Sequence, residues 1–365
     1  MPTAAARWPK GSAALATFVV VSVAALFAMA PARQAKGAKA GLALTAPLPD
    51  RVPPGVVLRV GDPVSRWVFH HNGWDEKLPF RIEWAEITGG PDVTEAFHAG
   101  ALDVGFGASV PPIHAVWMGI PVRIVGYREY ADRGNRQAYV FGIAPKAKIR
   151  TLADLRGKRI AFSPSQVQAQ IVIQTLKAEG IARKDVTLVE LPSSIGGDVY
   201  SNALAAGVVD AAPIRADLVA RRYVGKFGSE GATLLKHPPF RDDGGGIYVP
   251  EAVLNDPGKA AALCVFVHYW GLSQAWISTH KAELASGYYA KDQGLSPEDA
   301  RVMAEYASNI AVPRSWGGAI AYEQAAVDTL APETKHPRFD AATLFDPRFQ
   351  TIAGDAAATA QGQQP

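Results

Sequence analysis

One cysteine, Cys264, stands among 365 residues. A single thiol excludes an intrachain disulfide framework, a cysteine-built zinc site and a cysteine-ligated iron–sulfur cluster. An excess of charge is missing too, since 37 basic residues against 34 acidic ones leave +3. That balance offers no field for nucleic acid, and no RNP, zinc-finger or basic-region pattern occurs. The common catalytic signatures are also lacking: there is no Gly-x-Ser-x-Gly, no His-Glu-x-x-His, no Walker loop and no Gly-x-Gly-x-x-Gly. Mean hydropathy near zero excludes a multi-span membrane protein. What remains is 48% apolar and 19% charged, an ordinary globular composition for one large domain or two medium ones.

The N-terminus carries Arg7 and Lys10 before an apolar run from Ala13 to Ala30, followed by small residues at Ala28, Ala30 and Ala32. Basic start, apolar centre and small-residue exit predict a secretory signal peptide over residues 1–32. An uncleaved anchor helix is the alternative, because the run approaches spanning length. No cysteine follows it, so a lipid anchor there has no attachment point. Residues 33–55, rich in Ala, Gly and Pro, are expected to form a flexible tether.

From Val56 onward short β-branched runs alternate with helical patterns. Val56–Gly61 and Phe80–Ile87 read as strands. Gly90-Pro91-Asp92 opens a helix with Val93, Ala96 and Phe97 on one face, and Gly100 stops it before a strand at Leu102–Gly105. The order helix, Gly-x-x-Asp, strand returns 107 residues later: Asp198 opens a helix with Tyr200, Ala203 and Leu204, and Gly207 precedes a strand at Val208–Ala211. Between the copies, residues 151–157 predict a short helix, 158–162 a strand, 166–179 a helix and 186–191 a strand. Such alternation implies a mainly parallel sheet with helices on both faces, and two copies imply two α/β lobes. Beyond Tyr248 the chain reads as helical over 256–279, 281–292 and 296–308, and the Ala/Gly/Gln tail from Thr351 is expected to fray.

Ligands of open α/β sheets sit beyond the carboxyl ends of strands, and with two lobes the natural pocket is the cleft between them. Four strand-end loops therefore supply the candidates. The first holds Ser65, Arg66 and Trp67. The second is Gly107-Ala108-Ser109, whose small residues let a ligand approach the backbone. The third is Ser163-Pro-Ser165-Gln166, running on to Gln168 at a helix start whose free N–H groups suit an anion. The fourth ends at Arg215, a bidentate partner for a sulfonate or carboxylate. Each has a plainer reading: Ser165 as a helix cap, Trp67 as core packing, Arg66 as a solvated side chain. Arg221-Arg222 and Arg133 to Arg136 read as solvated loops, and Asp242 to Gly246 as a flexible crossing between lobes. His70-His71, read as strand neighbours on opposite faces, make no metal pair, and Cys264 in an apolar helix reads as structural, so no metal or cofactor is expected.

The runs Glu83–Pro91, Glu95–Gly105 and Val110–Ile113 resemble the aliphatic-sulfonate, taurine and nitrate substrate-binding proteins of ABC importers, and Thr151–Phe162 resembles the start of their second lobe. The resemblance spans roughly residues 56–330. It implies a two-lobe type II periplasmic-binding-protein fold, no enzymatic chemistry, a monomer, and a membrane permease and an ATPase on other chains as partners. It places ligand contacts at Ser65-Arg66, Gly107-Ala108-Ser109, Ser163 to Gln168 and near Arg215. The family's Gly-Asp is here Gly107-Ala-Ser-Val110, its Gly-Ser-Ser is Ser163-Pro-Ser-Gln166, and an aromatic residue near position 215 is Arg215. Losing an acid and gaining an arginine favours an anion without an amine over taurine.

The expected organisation is lobe 1 from 56–142 plus 245–330, lobe 2 from 143–244, and a C-terminal extension over 331–365, with hinges near Phe141-Gly142 and Gly244–Gly246. The expected function is an exported, periplasmic solute-binding protein for a small organic anion. The alternatives are an enzyme on the same fold, desulfinase-like or pyrimidine-synthesis-like, and a membrane-anchored sensor ectodomain.

Overall fold

The computed structural model describes residues 42–87, 89–132, 136–192 and 199–362. The predicted signal peptide and the expected helix start at Asp198 lie outside them. Val57–Gly61 forms β1, with Leu58 and Val60 fully buried and Arg59 turned to the other face. Asp62 then accepts from Ser65 N at 3.1 Å and Pro63 takes the first turn, which starts α1 (Pro63–His71). The segment expected to be the first ligand loop is therefore a helix, and His70-His71 lie on it.

The chain continues through β2 (Arg81–Trp84), α2 (Gly90–His98), β3 (Val104–Ala108), α3 (Val110–Trp117) and β4 (Val122–Tyr130). A second set follows: β5 (Tyr139–Ile143), β6 (Arg159–Phe162), α4 (Val167–Ala178), β7 (Thr187–Glu190), α5 (Val199–Ala205), β8 (Ala211–Arg215), α6 (Leu218–Phe227) and β9 (Thr233–Leu235). It returns with β10 (Gly245–Pro250), α7 (Glu251–Leu254), α8 (Pro257–Thr279), α9 (Lys281–Glu283) running into a π-helical stretch at Leu284–Asp292, α10 (Pro297–Ala307), β11 (Ile310–Ala311), α11 (Gly317–Thr334) and α12 (Ile352–Ala360).

Two sheets result, ordered β11-β4-β10-β3-β1-β2 and β7-β6-β8-β5-β9. In the first, β1 runs parallel to β2 and β3; in the second, β6 runs parallel to β7 and β8. The strands that carry the chain between lobes, β4, β5, β9 and β10, pair antiparallel with their neighbours. Each sheet is thus parallel on one side and antiparallel on the other, rather than mainly parallel, because the chain must leave and re-enter each lobe. The repeat seen in the sequence is real in space: β3 and β8 each lie between a parallel and an antiparallel neighbour. The second copy's strand begins at Ala211 rather than Val208, because Val208 N bonds back to Ala203 O at 2.9 Å to close α5.

β5 belongs to the second sheet, so the chain has changed lobes between Tyr130 and Tyr139, ahead of the expected hinge at Phe141-Gly142; residues 133–135 lie outside the described residues. The return crossing is 236–244. Each lobe has its own apolar core, and α11 reaches both: Ala326 and Val327 pack in the first, Leu330 in the second. Two expectations of disorder are corrected. Residues 42–55 are anchored, with Leu42 N on Asn255 O at 2.8 Å and Leu44, Leu48 and Val52 against the first core. The Ala-rich tail from Thr351 is helical through α12 and buries Ala353, Ala356 and Ala357. Small residues make this contact close: a Cβ on Gly271 of α8 would lie 2.3 Å from Ala353 O.

Candidate functional site

The two crossings are fastened by carboxylates. Asp243 accepts from Tyr130 N at 2.6 Å, at the end of β4, and Asp242 accepts from Tyr139 N at 2.8 Å, at the start of β5. Arg241 pairs with Glu129 at 2.7 Å and with Asp243 at 3.1 Å, and lies over the Tyr322 ring. His237 sits 3.0 Å from Asp242 and stacks on Phe240. Of the stretch expected to be a flexible crossing, Asp242 to Gly244 end the return segment with both acids tied to strands, and Gly245-Gly246 already pair within β10. Gly244 has no room for a side chain, since a Cβ there would lie 2.1 Å from the Tyr127 hydroxyl.

Between the lobes these crossings enclose a cleft of about 230 Å³. Lobe 1 contributes Phe106, Gly107 and Ala108 from β3, Pro111 from α3 and Arg128 from β4. Lobe 2 contributes Tyr139, Gln166, Gln168 and Arg215. Glu129, Tyr130, Asp242 and Asp243 form the hinge wall, and Tyr306 of α10 closes one side. A wider groove of about 690 Å³ lies beyond Tyr306, between α6 and α10. There Arg221 pairs with Glu298, Arg222 with Asp299 and Lys281 with Glu305, so the arginines expected in a solvated loop instead link the lobes from α6.

Five of the eleven residues singled out from the sequence line the cleft: Gly107, Ala108, Gln166, Gln168 and Arg215. Ser109 is buried at the start of α3 and donates across the lobes to Gln170 at 3.3 Å. Ser163 is buried below the surface, and Ser165 lies half-buried in the turn before α4. Neither serine is on the cleft wall; Gln166, at the N-cap position of α4, is. Ser65, Arg66 and Trp67 are also off the wall, because Asp62 winds them into α1. Ser65 donates to Asp62 at 2.7 Å, Arg66 pairs outward with Glu86, and Trp67 packs on His71, Trp276 and Tyr288. The single thiol, Cys264, is on α8 and not among the cleft's lining residues, and burial pushes it up to about 11.

Arg215 reaches the cleft but already pairs with buried Asp217. Burial alone would weaken its hold on the proton; the Asp217 carboxylate outweighs this and holds it above its ordinary value. Arg128 is the reverse case. Its Nη1 donates to Gln274 Oε1 at 2.8 Å and its guanidinium covers the Phe106 ring at 4.6 Å. Among the described residues no carboxylate lies within ion-pair distance of it, and burial pulls it below its ordinary value, with the charge of Asp62 only partly restoring it. Gln274 is held in turn by Ser65 and Ser273, at 3.4 and 3.1 Å. Ser65 thus supports the site from behind instead of touching its contents.

Sequence reasoning missed Arg128, Phe106, Tyr139 and Tyr306. One signal was present: Arg128-Glu129 ends the uncharged run Ile124–Tyr127 near a strand's end, where a charged pair is expensive to bury.

Comparison with known proteins places this geometry in context. A family model described as NMT1/THI5 like matches residues 73–226. An aliphatic sulfonates-binding protein of Escherichia coli (strain K12) is 29% identical over 106 residues, 29% of this chain. That match spans about a third of the relative's length, 32%. The alkanesulfonate-binding protein SsuA from Xanthomonas axonopodis pv. citri, solved bound to MOPS, superposes with a TM-score of 0.66 at 23% identity, covering 80% of this chain and 99% of the other. The periplasmic aliphatic sulphonate binding protein SsuA from Escherichia coli gives 0.66 at 19%, covering 82% and 99%. The desulfurization enzyme DSZB has the same fold, with a TM-score of 0.54 at 16% identity, covering 81% and 98%. The fold is that of the periplasmic binding proteins, and it is one that an enzyme also uses.

Proposed function

We propose that this chain is the extracytoplasmic solute-binding component of an ABC importer. It captures a small organic anion, a sulfonate or a related compound, between its lobes and closes on it by hinge motion where the chain crosses between Tyr130 and Tyr139 and again over 236–244. The observation that carries the reading is the cleft itself, walled by strand ends and helix starts of both lobes. Its backbone at Gly107-Ala108 is open to a ligand, the amides of Gln166 and Gln168 add polar recognition, and Phe106, Tyr139 and Tyr306 wall an organic tail. The likeness to sulfonate-binding proteins supports the same substrate class. Permease and ATPase subunits on other chains would be its partners, and export would follow from the N-terminal segment.

A thermal-unfolding panel tests this. The purified protein is melted with alkanesulfonates, aromatic sulfonates, taurine, nitrate, carboxylates and pyrimidines. A ligand at a hundred times its dissociation constant adds about 2.7 kcal/mol, enough to move the midpoint measurably. A shift with sulfonates or carboxylates, with the ligand recovered unchanged, supports capture without chemistry. No shift with any anion, or turnover of a bound one, rejects it.

A further inference from the structure

We propose that Arg128, rather than Arg215, is the anion anchor of the interlobe cleft, and that it selects ligands carrying a single negative charge. The inference rests on the cleft being the ligand site and names the group that recognises the ligand.

The cleft wall carries five charged residues, Arg128, Glu129, Arg215, Asp242 and Asp243. Arg215 is matched by Asp217. Glu129 and Asp243 share Arg241, and Asp242 faces His237 while accepting from Tyr139 N. Arg128 alone among the cleft's charged residues has no group of opposite charge within ion-pair distance, counting the described residues. Its contacts are an amide oxygen, Gln274 Oε1 at 2.8 Å, and an aromatic face, Phe106 at 4.6 Å. Both offset the burial of a cation only in part. Asp62 is the acid whose charge acts on it, but that carboxylate is occupied by Ser65 and by Trp270 Nε1 at 3.2 Å. A guanidinium has five donors, and one Nη1 bond leaves its remaining edge for two oxygens of a sulfonate or carboxylate.

The hinge wall sets the limit on charge. Glu129, Asp242 and Asp243 line the same cleft. A second negative charge would meet them where water screens poorly. These acids are each engaged with Arg241, His237 or a backbone N–H, so none is left to receive an ammonium group. Alkanesulfonates and carboxylates meet these conditions at neutral pH. Sulfate exceeds them by one charge, and taurine brings an amine without a partner.

Calorimetric titration of the whole protein with ethanesulfonate, benzenesulfonate, taurine and sulfate tests the proposal, using the wild type, Arg128→Met, Arg128→Lys and Arg215→Ala. The wild type should bind the simple sulfonates at least about tenfold more tightly than sulfate or taurine. Arg128→Met should lose about a hundredfold or more, while its ligand-free melting temperature stays level or rises, since a merely structural arginine would lower it on removal. Arg128→Lys, which keeps charge but not the fork, should retain an intermediate affinity and decides the matter if the methionine variant does not fold. Arg215→Ala should change affinity less than tenfold. Wild-type affinity in Arg128→Lys and Arg128→Met, or a larger loss in Arg215→Ala, overturns the anchor while leaving the cleft as a binding site. Preference for taurine or sulfate overturns the single-charge rule. A wild type that binds no anion overturns this inference and the underlying reading together.

Discussion

The two lobes repeat one device and use it differently. In lobe 1, Arg59 clasps Asp103 through its backbone N at 3.0 Å, its Nε at 3.3 Å and its Nη2 at 3.0 Å. In lobe 2, Arg159 clasps Asp210 in the same manner at 2.8, 3.2 and 2.8 Å. Each aspartate precedes the middle strand of its sheet and ties the strand's start to its parallel neighbour. The difference lies in what surrounds them. Asp103 is 2% exposed and takes a second cation, Lys259 of α8, at 2.8 Å; Asp210 is 19% exposed and, among the described residues, has Arg159 as its one ion-pair partner. Helices returning from the C-terminal third wrap lobe 1, with α8 and α12 in its core, whereas lobe 2 meets them through Leu330 of α11 and the ion pairs to α10. The same local signal is therefore driven deeper by tertiary packing in one copy than in the other.

The largest effect separating the lobes should come from Asp103→Ala. It strands two cations against the core edge, and allowing for their partial exposure it should cost about 2–3 kcal/mol in denaturant unfolding. Asp210→Ala should cost a fraction of that, and equal losses would refute the asymmetry. Burial raises the Asp103 pKa, but Arg59 and Lys259 outweigh this and hold it below the ordinary carboxylate range. A depressed acid stabilises above its unfolded value and loses that contribution as pH falls through its folded one. Asp103→Ala should therefore flatten the acid limb of the stability curve.

Next comes Glu323 on α11, fully buried beside Tyr127 and pushed up to about 8 by that burial. The sign is opposite. A raised acid contributes its stability below the unfolded value and loses it as pH rises through the folded one. Glu323→Gln should accordingly gain on the wild type between about pH 5 and pH 9, by about 2 kcal/mol at the alkaline end. Parallel curves for the two proteins would show that Glu323 does not titrate in this window.

The third substitution concerns the wrapping itself. Gly271→Ala, forced against Ala353 O, should cost about 1–3 kcal/mol by overpacking α8 against α12. Hydrogen exchange should then rise in α12 and lobe 1 and stay unchanged in β6, β7 and β8. Loosening spread evenly over both lobes would mean that they unfold as one unit.

Much of the fold was legible locally. Gly-Pro-Asp at 90–92, Ser-Pro-Glu-Asp at 296–299 and the short β-branched runs each carry their own start and stop chemistry, and these elements formed where that chemistry put them. The site was legible by halves. Gly107, Ala108, Gln166, Gln168 and Arg215 follow from the rule that ligands sit at strand ends and helix starts, a rule about position in a βα unit. Ser65, Arg66 and Trp67 failed it because Asp62 caps a helix immediately after β1, leaving no loop. The tail was misjudged because alanine and glycine look unstructured until a partner face of equally small residues, Gly271 with Ala353, makes their close approach favourable.

The sequence by itself determined the alternation of strands and helices, the 107-residue repeat with its Gly-x-x-Asp signature, and the small-residue loops that open onto the cleft. These depend on neighbours a few residues apart. Only the tertiary structure decided which charges stay uncompensated. Arg128 meets Gln274 from 146 positions away, and Arg241 reaches back 112 positions to Glu129. Charge balance in a cleft is a sum over groups brought together by folding, and no stretch of chain contains that sum.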